Sequence, residues 1–228
     1  MLQNRTLTIT ALCLAISLIA GAQQSQKTEE AKPATTQSMK EKVEKKPGVH
    51  DAAYTDPWVK DVKDTSYVAA TGERILRHEV VVDYPLEKAW ALLSTKEGLT
   101  SFMAPQFELE LKTGGKWWAN YSATATPTDP GWIRNTVLSY IPQQMISVKL
   151  NLLPGFPKEA VEAGTLFAVL EFQDLGNGKT RVSESLAGFG TGEGWDKVYE
   201  FFKNGNRYVF GQYLHRIKDG PVDWSKQH

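Results

Sequence analysis

One acidic residue, Glu184, stands where a carboxylate could take part in chemistry. It shares a predicted strand face with Val182 and Leu186, because alternate residues of a strand point to the same side. If this side faces the interior, desolvation raises the pKa of the carboxyl and suits it to acid–base work. The alternative is a glutamate that faces the surface or pairs with Arg134 or Arg181, which is the commoner arrangement.

Aromatic and polar residues at strand spacing indicate a pocket. Trp118 and Asn120 share one face of a predicted strand, and Arg134 lies with Trp132 and Leu138 on a face of another. Ligand pockets are mostly apolar with a few placed polar groups. Trp118, Asn120, Arg134 and the inward form of Glu184 are therefore candidate ligand-binding residues.

A long amphipathic helix is predicted within residues 188–217. Its apolar stripe, with residues three or four positions apart, consists of Trp195, Val198, Tyr199, Phe202, Val209, Tyr213 and Ile217. Asn206 lies between Phe202 and Val209, where an apolar residue is expected, and Gly205 beside it removes bulk. Phe202 and Asn206 are candidate ligand contacts, although Asn206 could instead hydrogen-bond to the sheet or mark a helix bend.

The histidines, serines and glycines support no other chemistry. The four histidines, His50, His78, His215 and His228, show no metal-ligand spacing, so neither a metal nor a cofactor is expected. His78 falls on an apolar strand face, which is typical of a core histidine with satisfied hydrogen bonds. There is no Gly-x-Ser-x-Gly motif, so no catalytic residue is assigned.

A glycine series at residues 188–194 lies between a predicted strand and the long helix. It lacks the Walker and dinucleotide spacings, and Glu193 and Asp196 would repel a phosphate at the helix start. The glycines are instead expected to allow a tight turn from strand to helix.

The overall charge argues against large charged partners. Lys plus Arg, 26 residues, offsets Asp plus Glu, also 26, so no net field attracts nucleic acid or an anionic membrane. With 228 residues and 41% hydrophobic content, the chain can bury the core of one sizeable domain.

The N-terminus resembles a cleaved leader. Arg5 precedes an uncharged apolar run at residues 7–19, and Ala22 closes a small-residue site at which cleavage is expected. The run is shorter than the roughly 20 residues of a membrane span, so no span is expected after cleavage. The chain is therefore expected to be exported to the periplasm or secreted. Cys13, the single cysteine, lies inside the run, so the mature chain has no thiol.

The remaining chain divides by composition. Residues 23–50 are polar and charged, which predicts a disordered linker. Residues 51–73 regain aromatic side chains and are expected to pack on the domain at 74–228 as an N-terminal extension.

Within the domain the predicted order is a strand at 75–83, a short helix that starts at Pro85 and is interrupted by Gly98, a second short helix at 99–103, six strands, and the long helix. The strands are predicted at 107–111, 116–122, 132–140, 145–152, 164–174 and 180–188. Short links predict an antiparallel sheet throughout. Residues 153–163, which include Phe156, break the pattern and form either a lid over a cavity or a packed surface loop. As part of such a lid, Phe156 is a candidate ligand contact.

Several segments carry a family resemblance, which covers about residues 74–217. They are residues 85–90, 95–99, 103–105, 114–117, 188–190 and 193–202. The sequence resembles the START-like (SRPBCC) superfamily, and within it the branch of activator homologues of the heat-shock chaperone ATPase. The resemblance implies an α+β helix-grip fold, a curved antiparallel sheet wrapped around a long C-terminal helix, with two short helices after the first strand.

The resemblance specifies the fold more closely than the function, since the superfamily includes lipid carriers, hormone receptors, polyketide cyclases and chaperone activators. We expect a small apolar or amphipathic ligand between sheet and helix. A cyclase- or isomerase-like enzyme using Glu184, His78 or Arg134, and a ligand-free interaction module filled by aromatic rings, are the alternatives. A cytosolic chaperone partner is not expected for an exported protein.

Overall fold

The computed structural model describes residues 58–226. The strands are β1 (Lys63–Asp64), β2 (Tyr67–Val68), β3 (Arg74–Val82), β4 (Gln106–Leu109), β5 (Lys116–Asn120), β6 (Ile133–Ile141), β7 (Met145–Lys149), β8 (Phe167–Gly176) and β9 (Lys179–Ala187). The α-helices are α1 (Leu86–Ser94), α2 (Lys96–Thr100), α3 (Lys158–Ala163) and α4 (Glu193–Asp219). Short 3-10 helices lie at Val59–Asp61 and Trp224–Lys226.

These strands form a curved antiparallel sheet that packs against α4. Its order is β1-β3-β9-β8-β7-β6-β5-β4, and β2 also pairs with β3. All the named strand pairs are antiparallel, as the short links predict. No helix within residues 58–226 is both long and apolar enough to cross a membrane.

Strand β3 shows how the sheet acquires an inner face. Leu76, His78, Val80 and Val82 are buried, and they alternate with more exposed residues along the strand. Because successive side chains of a strand point to opposite sides, these four lie on one face. That face contacts α4 and the apolar core.

The N-terminal end of α4 is anchored by packing and by an arginine. Trp195 and Val198 are buried in a cluster with Ala160 of α3 and with Leu166. Arg74, at the start of β3, donates a hydrogen bond from Nη1 to Asp196 Oδ1 at 2.6 Å and from Nη2 to the Gly190 carbonyl oxygen at 2.9 Å. The guanidinium also lies 5.1 Å from the centre of the Tyr199 ring. These contacts fix the N-terminal end of α4 to the first residue of β3.

The C-terminal end of α4 is buried in the largest apolar cluster. Phe210, Tyr213 and Leu214 pack there with residues of the sheet and of α1 and α2. The Tyr213 hydroxyl donates a hydrogen bond to the Ala89 carbonyl oxygen at 3.3 Å, and its ring lies 5.4 Å from that of Phe102. The two short helices after β3 thus hold the far end of α4.

The segment before β3 also contacts α4. Val59 and Val62 are buried, and Arg207 of α4 donates a hydrogen bond from Nε to the Val59 carbonyl oxygen at 3.4 Å. A Cβ on Gly211 would come within 2.9 Å of the Val59 side chain, so glycine allows this close approach.

The predicted strands and helices are all present, but several bounds differ, and the strands β1 and β2 and the helix α3 were not predicted. The second short helix lies at Lys96–Thr100 and includes Gly98, which was expected to interrupt the helix. The segment at 153–163, predicted as irregular, ends in the helix α3, because Pro157 precedes a run of good helix formers that is too short to show a helical period. Gly164 ends this helix with φ of 56°, so β8 begins at Phe167 rather than at residue 164. β7 ends at Lys149, and β5 at Asn120, before the predicted ends.

Other features of the prediction lie wholly or partly outside the described residues. The leader, the linker and residues 51–57 of the extension are among them.

The turn between β9 and α4 gives a testable prediction. Gly188 has φ of 88°, and a Cβ at this position would clash with the Thr165 carbonyl group. Gly188→Ala should lower the free energy of unfolding by about 2 kcal/mol or more, because strain and a backbone clash add. Urea denaturation measures this change.

Gly192→Ala is the matched control. Gly192 also has positive φ, 100°, but an added Cβ would meet no atom within 4 Å. This variant should lose clearly less stability than Gly188→Ala. Equal losses would show that backbone strain, and not the close approach to Thr165, makes glycine necessary here.

Candidate functional site

The register of β3 and β9 brings two titratable side chains together. His78 pairs directly with Glu184. Residues directly opposite on antiparallel strands point to the same side, with Cβ atoms about 5 Å apart. Val182 and Leu186, on either side of Glu184, are buried, so the pair lies on the inner face of the sheet. The inward orientation of Glu184 is therefore the correct alternative, and Arg181 instead pairs with Glu79.

Glu184 has no compensating charge. Burial raises the pKa of its carboxyl to about 7, and no charge or hydrogen bond contributes to the shift. The residue is nonetheless only half-buried, so part of its surface remains accessible to solvent. Protein therefore surrounds the Glu184 carboxyl without covering the residue completely.

His78 is more completely enclosed, with 1% of its surface exposed. Neither ring nitrogen has a hydrogen-bond partner, so the prediction of a satisfied core histidine is wrong. Burial lowers the pKa of His78 to about 4, and the nearby Arg207 and Lys203 lower it further, while Asp64 opposes them. His78 is therefore neutral at pH 7, with one nitrogen able to donate and the other able to accept a hydrogen bond.

The polar pair interrupts the apolar interior. On one side, Leu76 and Leu186 form a small cluster with Ala168. On the other side, Val80 and Val182 belong to the large cluster that holds the C-terminal end of α4. Two polar side chains thus lie where a continuous core would place apolar ones.

The middle of α4 lies over this break. Lys203 Nζ is 3.4 Å from Asp64 Oδ2, and Asp64 is the register partner of His78 on β1. The turn of α4 around Lys203 therefore lies near His78. Asn206 is three residues after Lys203 in α4, and it lies on the same helix face as Phe202, one turn away.

This part of the helix is covered less closely than its ends. The residues at 201–209 are all half-buried, whereas the stripe residues Trp195, Val198 and Tyr213 are buried. An added Cβ on Gly205 would meet no atom within 4 Å, so there is free space beside this turn as well. The looser covering coincides with the polar pair on the sheet.

The predicted ligand-binding residues fall into two groups. Glu184 lies on the inner face of the sheet, and Phe202 packs against the Leu76 cluster of that face. The half-buried Asn206 follows Phe202 by one helical turn. Phe156 lies close to them, since its ring stacks on that of Phe202 with the centres 6.0 Å apart and packs at 4.9 Å from Phe201. The segment at 153–163 therefore reaches the N-terminal half of α4.

Trp118, Asn120 and Arg134 lie elsewhere. They alternate with the core residues of their strands, such as Trp117 and Ala119, and so lie on the outer face of the sheet. Asn120 is nevertheless buried there, and its Oδ1 accepts a hydrogen bond from the Ser122 N–H at 2.9 Å. Arg134 is the register partner of Trp118, and its guanidinium lies 5.2 Å from the centre of the Trp118 ring. The structure does not bring these three residues together with Glu184.

His78 is the residue that the predicted set lacks. Its place on an apolar strand face was visible in the sequence, but that position alone is typical of an ordinary core histidine. The partner across the strands distinguishes it, and the pairing of β3 with β9 joins residues that are far apart in the chain.

Among residues 58–226, no group of three or more His, Cys, Asp or Glu side chains is arranged to hold a metal ion. The candidate site is the polar pair of His78 and Glu184 on the inner face of the sheet, with apolar side chains on both sides.

A curved antiparallel sheet around a long C-terminal helix, with two short helices after the first long strand, defines the helix-grip class of the SRPBCC superfamily. The chain belongs to the family described as Activator of Hsp90 ATPase homolog 1-like protein, which it matches over residues 83–219. No match was found among curated proteins.

Solved structures share this fold at low sequence identity. A conserved protein of unknown function from Enterococcus faecalis has a TM-score of 0.52 and 14% identity, covering 78% of this chain and 92% of its own. A protein from Mesorhizobium loti has a TM-score of 0.51 and 16% identity, covering 65% and 100%. The Aha1 dimer from Colwellia psychrerythraea has a TM-score of 0.50 and 12% identity, covering 64% and 97%.

The two pKa shifts have opposite effects on stability. The pKa of Glu184 is raised to about 7, so its contribution to stability is present at acidic pH and is lost as the pH rises from about 4.5 to 7. The pKa of His78 is lowered to about 4, so its contribution is present above about 6.5 and is lost as the pH falls towards 4. Between these limits the two contributions nearly cancel.

Removing one member should therefore expose the effect of the other. Glu184→Gln should make stability rise more steeply with pH between 4.5 and 6.5 than in the wild type, and His78→Leu should make it fall. The change across this interval should be about 2 kcal/mol in each case. Urea denaturation at several pH values measures it. Glu108→Gln, at an exposed carboxylate, should leave the pH profile unchanged. Unchanged profiles for both inner-face variants would contradict the assigned shifts.

Proposed function

We propose that the protein binds a small apolar or amphipathic molecule in a cavity between the inner face of the sheet and α4. The observation that carries the proposal is the pair of His78 and Glu184, which lies opposite the loosely covered turn at Asn206 without hydrogen bonds of its own.

The energetics of the pair support a ligand. A buried polar group without a partner costs about 1–3 kcal/mol, so such groups are rare unless they have another role. A ligand hydroxyl, carbonyl or amide placed between sheet and helix would supply the missing partner. The two side chains would then fix its orientation.

The surroundings indicate that the rest of the ligand is apolar. Leu76, Leu186 and Ala168 flank the pair on one side, and the rings of Phe202 and Tyr199 pack against that cluster. The stacked ring of Phe156 extends this apolar wall. Apolar walls with a few polar groups are the usual composition of small-molecule sites.

An enzyme that uses the same cavity is the second candidate. It is favoured by the pKa of Glu184, which burial raises to about 7, close to the value that suits a general base at neutral pH. A ligand-free module is the third candidate, favoured by the aromatic packing of Phe156, Phe201 and Phe202. Binding is preferred because this ring cluster leaves the His78–Glu184 pair without polar partners.

A neutral apolar dye tests the binding site. Nile red should bind saturably, with blue-shifted emission. Asn206→Trp should weaken its binding by at least 10-fold, because the indole would fill the space between α4 and the polar pair. Fluorescence titration measures the affinity, and thermal unfolding checks that the variant is folded.

Glu200→Trp provides the matched control, since residue 200 is exposed on the same helix. It adds the same indole outside the interior and should bind Nile red like the wild type. If folded Asn206→Trp binds the dye with wild-type affinity, the proposed location is wrong. Native mass spectrometry of protein from its own host would then be the way to look for a retained ligand elsewhere.

We also propose that the protein is exported, with Gln23 as the first residue after cleavage behind Ala22. The support is the leader pattern of residues 5–22. Export would separate the protein from a cytosolic chaperone, so we do not propose the chaperone ATPase as its partner, despite the family description.

Intact-mass analysis of the protein recovered from its host tests this proposal. The mass should correspond to a chain that begins at Gln23 and should be found in the periplasmic or secreted fraction. Ala22→Arg should block cleavage and leave the leader attached. A full-length protein in the cytosol of cells with the wild-type gene would overturn the proposal.

A further inference from the structure

We propose that Glu184 and His78 form an acid–base site that removes a proton from the carbon beside the carbonyl group of an apolar ketone and returns it to carbon. This inference rests on the proposed cavity, because the ketone must reach the pair. It adds a reaction and a substrate class to the binding role.

The geometry supplies two different groups on one side of the substrate. Glu184 and His78 are register partners on the inner face, so both side chains lie on the side of β3 and β9 that faces α4, where a bound carbonyl compound would meet them. The ring nitrogens of His78 have no hydrogen-bond partner, and no neighbouring group shifts the pKa of the Glu184 carboxyl. A carbonyl oxygen and the carbon beside it are close enough together to meet one group each.

The step is balanced without any further reactant. The Glu184 carboxylate takes a proton from the carbon next to the carbonyl group, and the electron pair of that C–H bond forms a carbon–carbon double bond. The carbonyl π electrons move to the oxygen, which accepts a hydrogen bond from the His78 N–H. Glu184 then returns the proton to the same carbon or, in a conjugated ketone, to another carbon of the enolate.

The ionisation states suit this division of roles. A carboxyl with a pKa of about 7 is a stronger base than an ordinary glutamate and is about half ionised at neutral pH. His78, with a pKa of about 4, remains a neutral donor. Its charged surroundings are Asp64, Lys203 and Arg207, and the last two favour negative charge developing on the oxygen beside His78.

The residues that surround His78 and Glu184 indicate the class of substrate. Leu76, Leu186, Ala168 and Leu170 surround the pair on the sheet, so the body of the substrate must be apolar. An anionic substrate would be repelled once Glu184 ionises. A neutral ketone with an acidic C–H bond is the simplest compound that satisfies both conditions.

Hydrogen–deuterium exchange of 2-tetralone, a neutral ketone, tests the inference. In deuterated buffer the wild-type protein should accelerate loss of the proton signal next to the carbonyl group, measured by NMR, at least 100-fold above buffer. The rate should rise with pH through about 7 and then level off, as the base form of Glu184 accumulates.

Variants separate the roles. Glu184→Gln should reduce the exchange rate at least 100-fold while 2-tetralone still binds, as measured by saturation-transfer NMR. Glu184→Asp should retain part of the rate and serves if the amide variant does not fold. His78→Leu should lose about 10-fold, and His78→Gln, which keeps an N–H donor, should lose less. Glu108→Gln, at an exposed carboxylate, should exchange like the wild type.

Two negative results have different meanings. If 2-tetralone binds to the wild type but exchanges no faster than in buffer, the acid–base inference is wrong and the binding role stands. If neither 2-tetralone nor Nile red binds, the cavity is wrong and the inference falls with it. Exchange that survives in both Glu184 variants would also overturn the assignment of the base.

Discussion

The fold depends on one helix, α4, which is anchored to the rest of the domain at both ends. At the N-terminal end, Trp195 is buried beside α3 and Leu166, and Arg74 of β3 donates hydrogen bonds to Asp196 and to the Gly190 carbonyl oxygen. At the other end, Tyr213 is buried under α1 and α2. Because these two anchors fix the axis of α4, its middle turns cannot move closer to the sheet without breaking one of them.

This constraint explains why the polar pair can exist. His78 is already enclosed without a hydrogen-bond partner, at a cost of about 1–3 kcal/mol, and a core that also closed over Glu184 would add a second such cost. With α4 anchored at its ends, the turn around Asn206 is only half-buried, and Glu184 remains partly accessible to solvent. Burial lowers the pKa of His78 to about 4 and raises the pKa of the Glu184 carboxyl to about 7, because it disfavours the charged form of each group.

The two faces of the sheet have different roles for the same reason. Charged side chains on the outer face are partly exposed and form ordinary pairs, such as Arg77 with Glu171 at 2.6 Å. On the same face the Arg134 guanidinium lies over the Trp118 ring. The inner face is closed by α4, so a charge there has no solvent to stabilise it. Trp118 and Arg134 resembled ligand contacts in the sequence because aromatic and basic residues suit either surface.

The sequence by itself determined the element order, the antiparallel sheet and the long helix, because hydrophobic periodicity and short turns are local properties. It also indicated Glu184 and Asn206, each a polar residue on an apolar face. The short helix α3 escaped prediction, since six residues show too little periodicity. Only the tertiary structure decided which face of each strand lies under α4, and it alone paired Glu184 with His78. That pairing depends on the register of two strands separated by about a hundred residues, which no local pattern encodes.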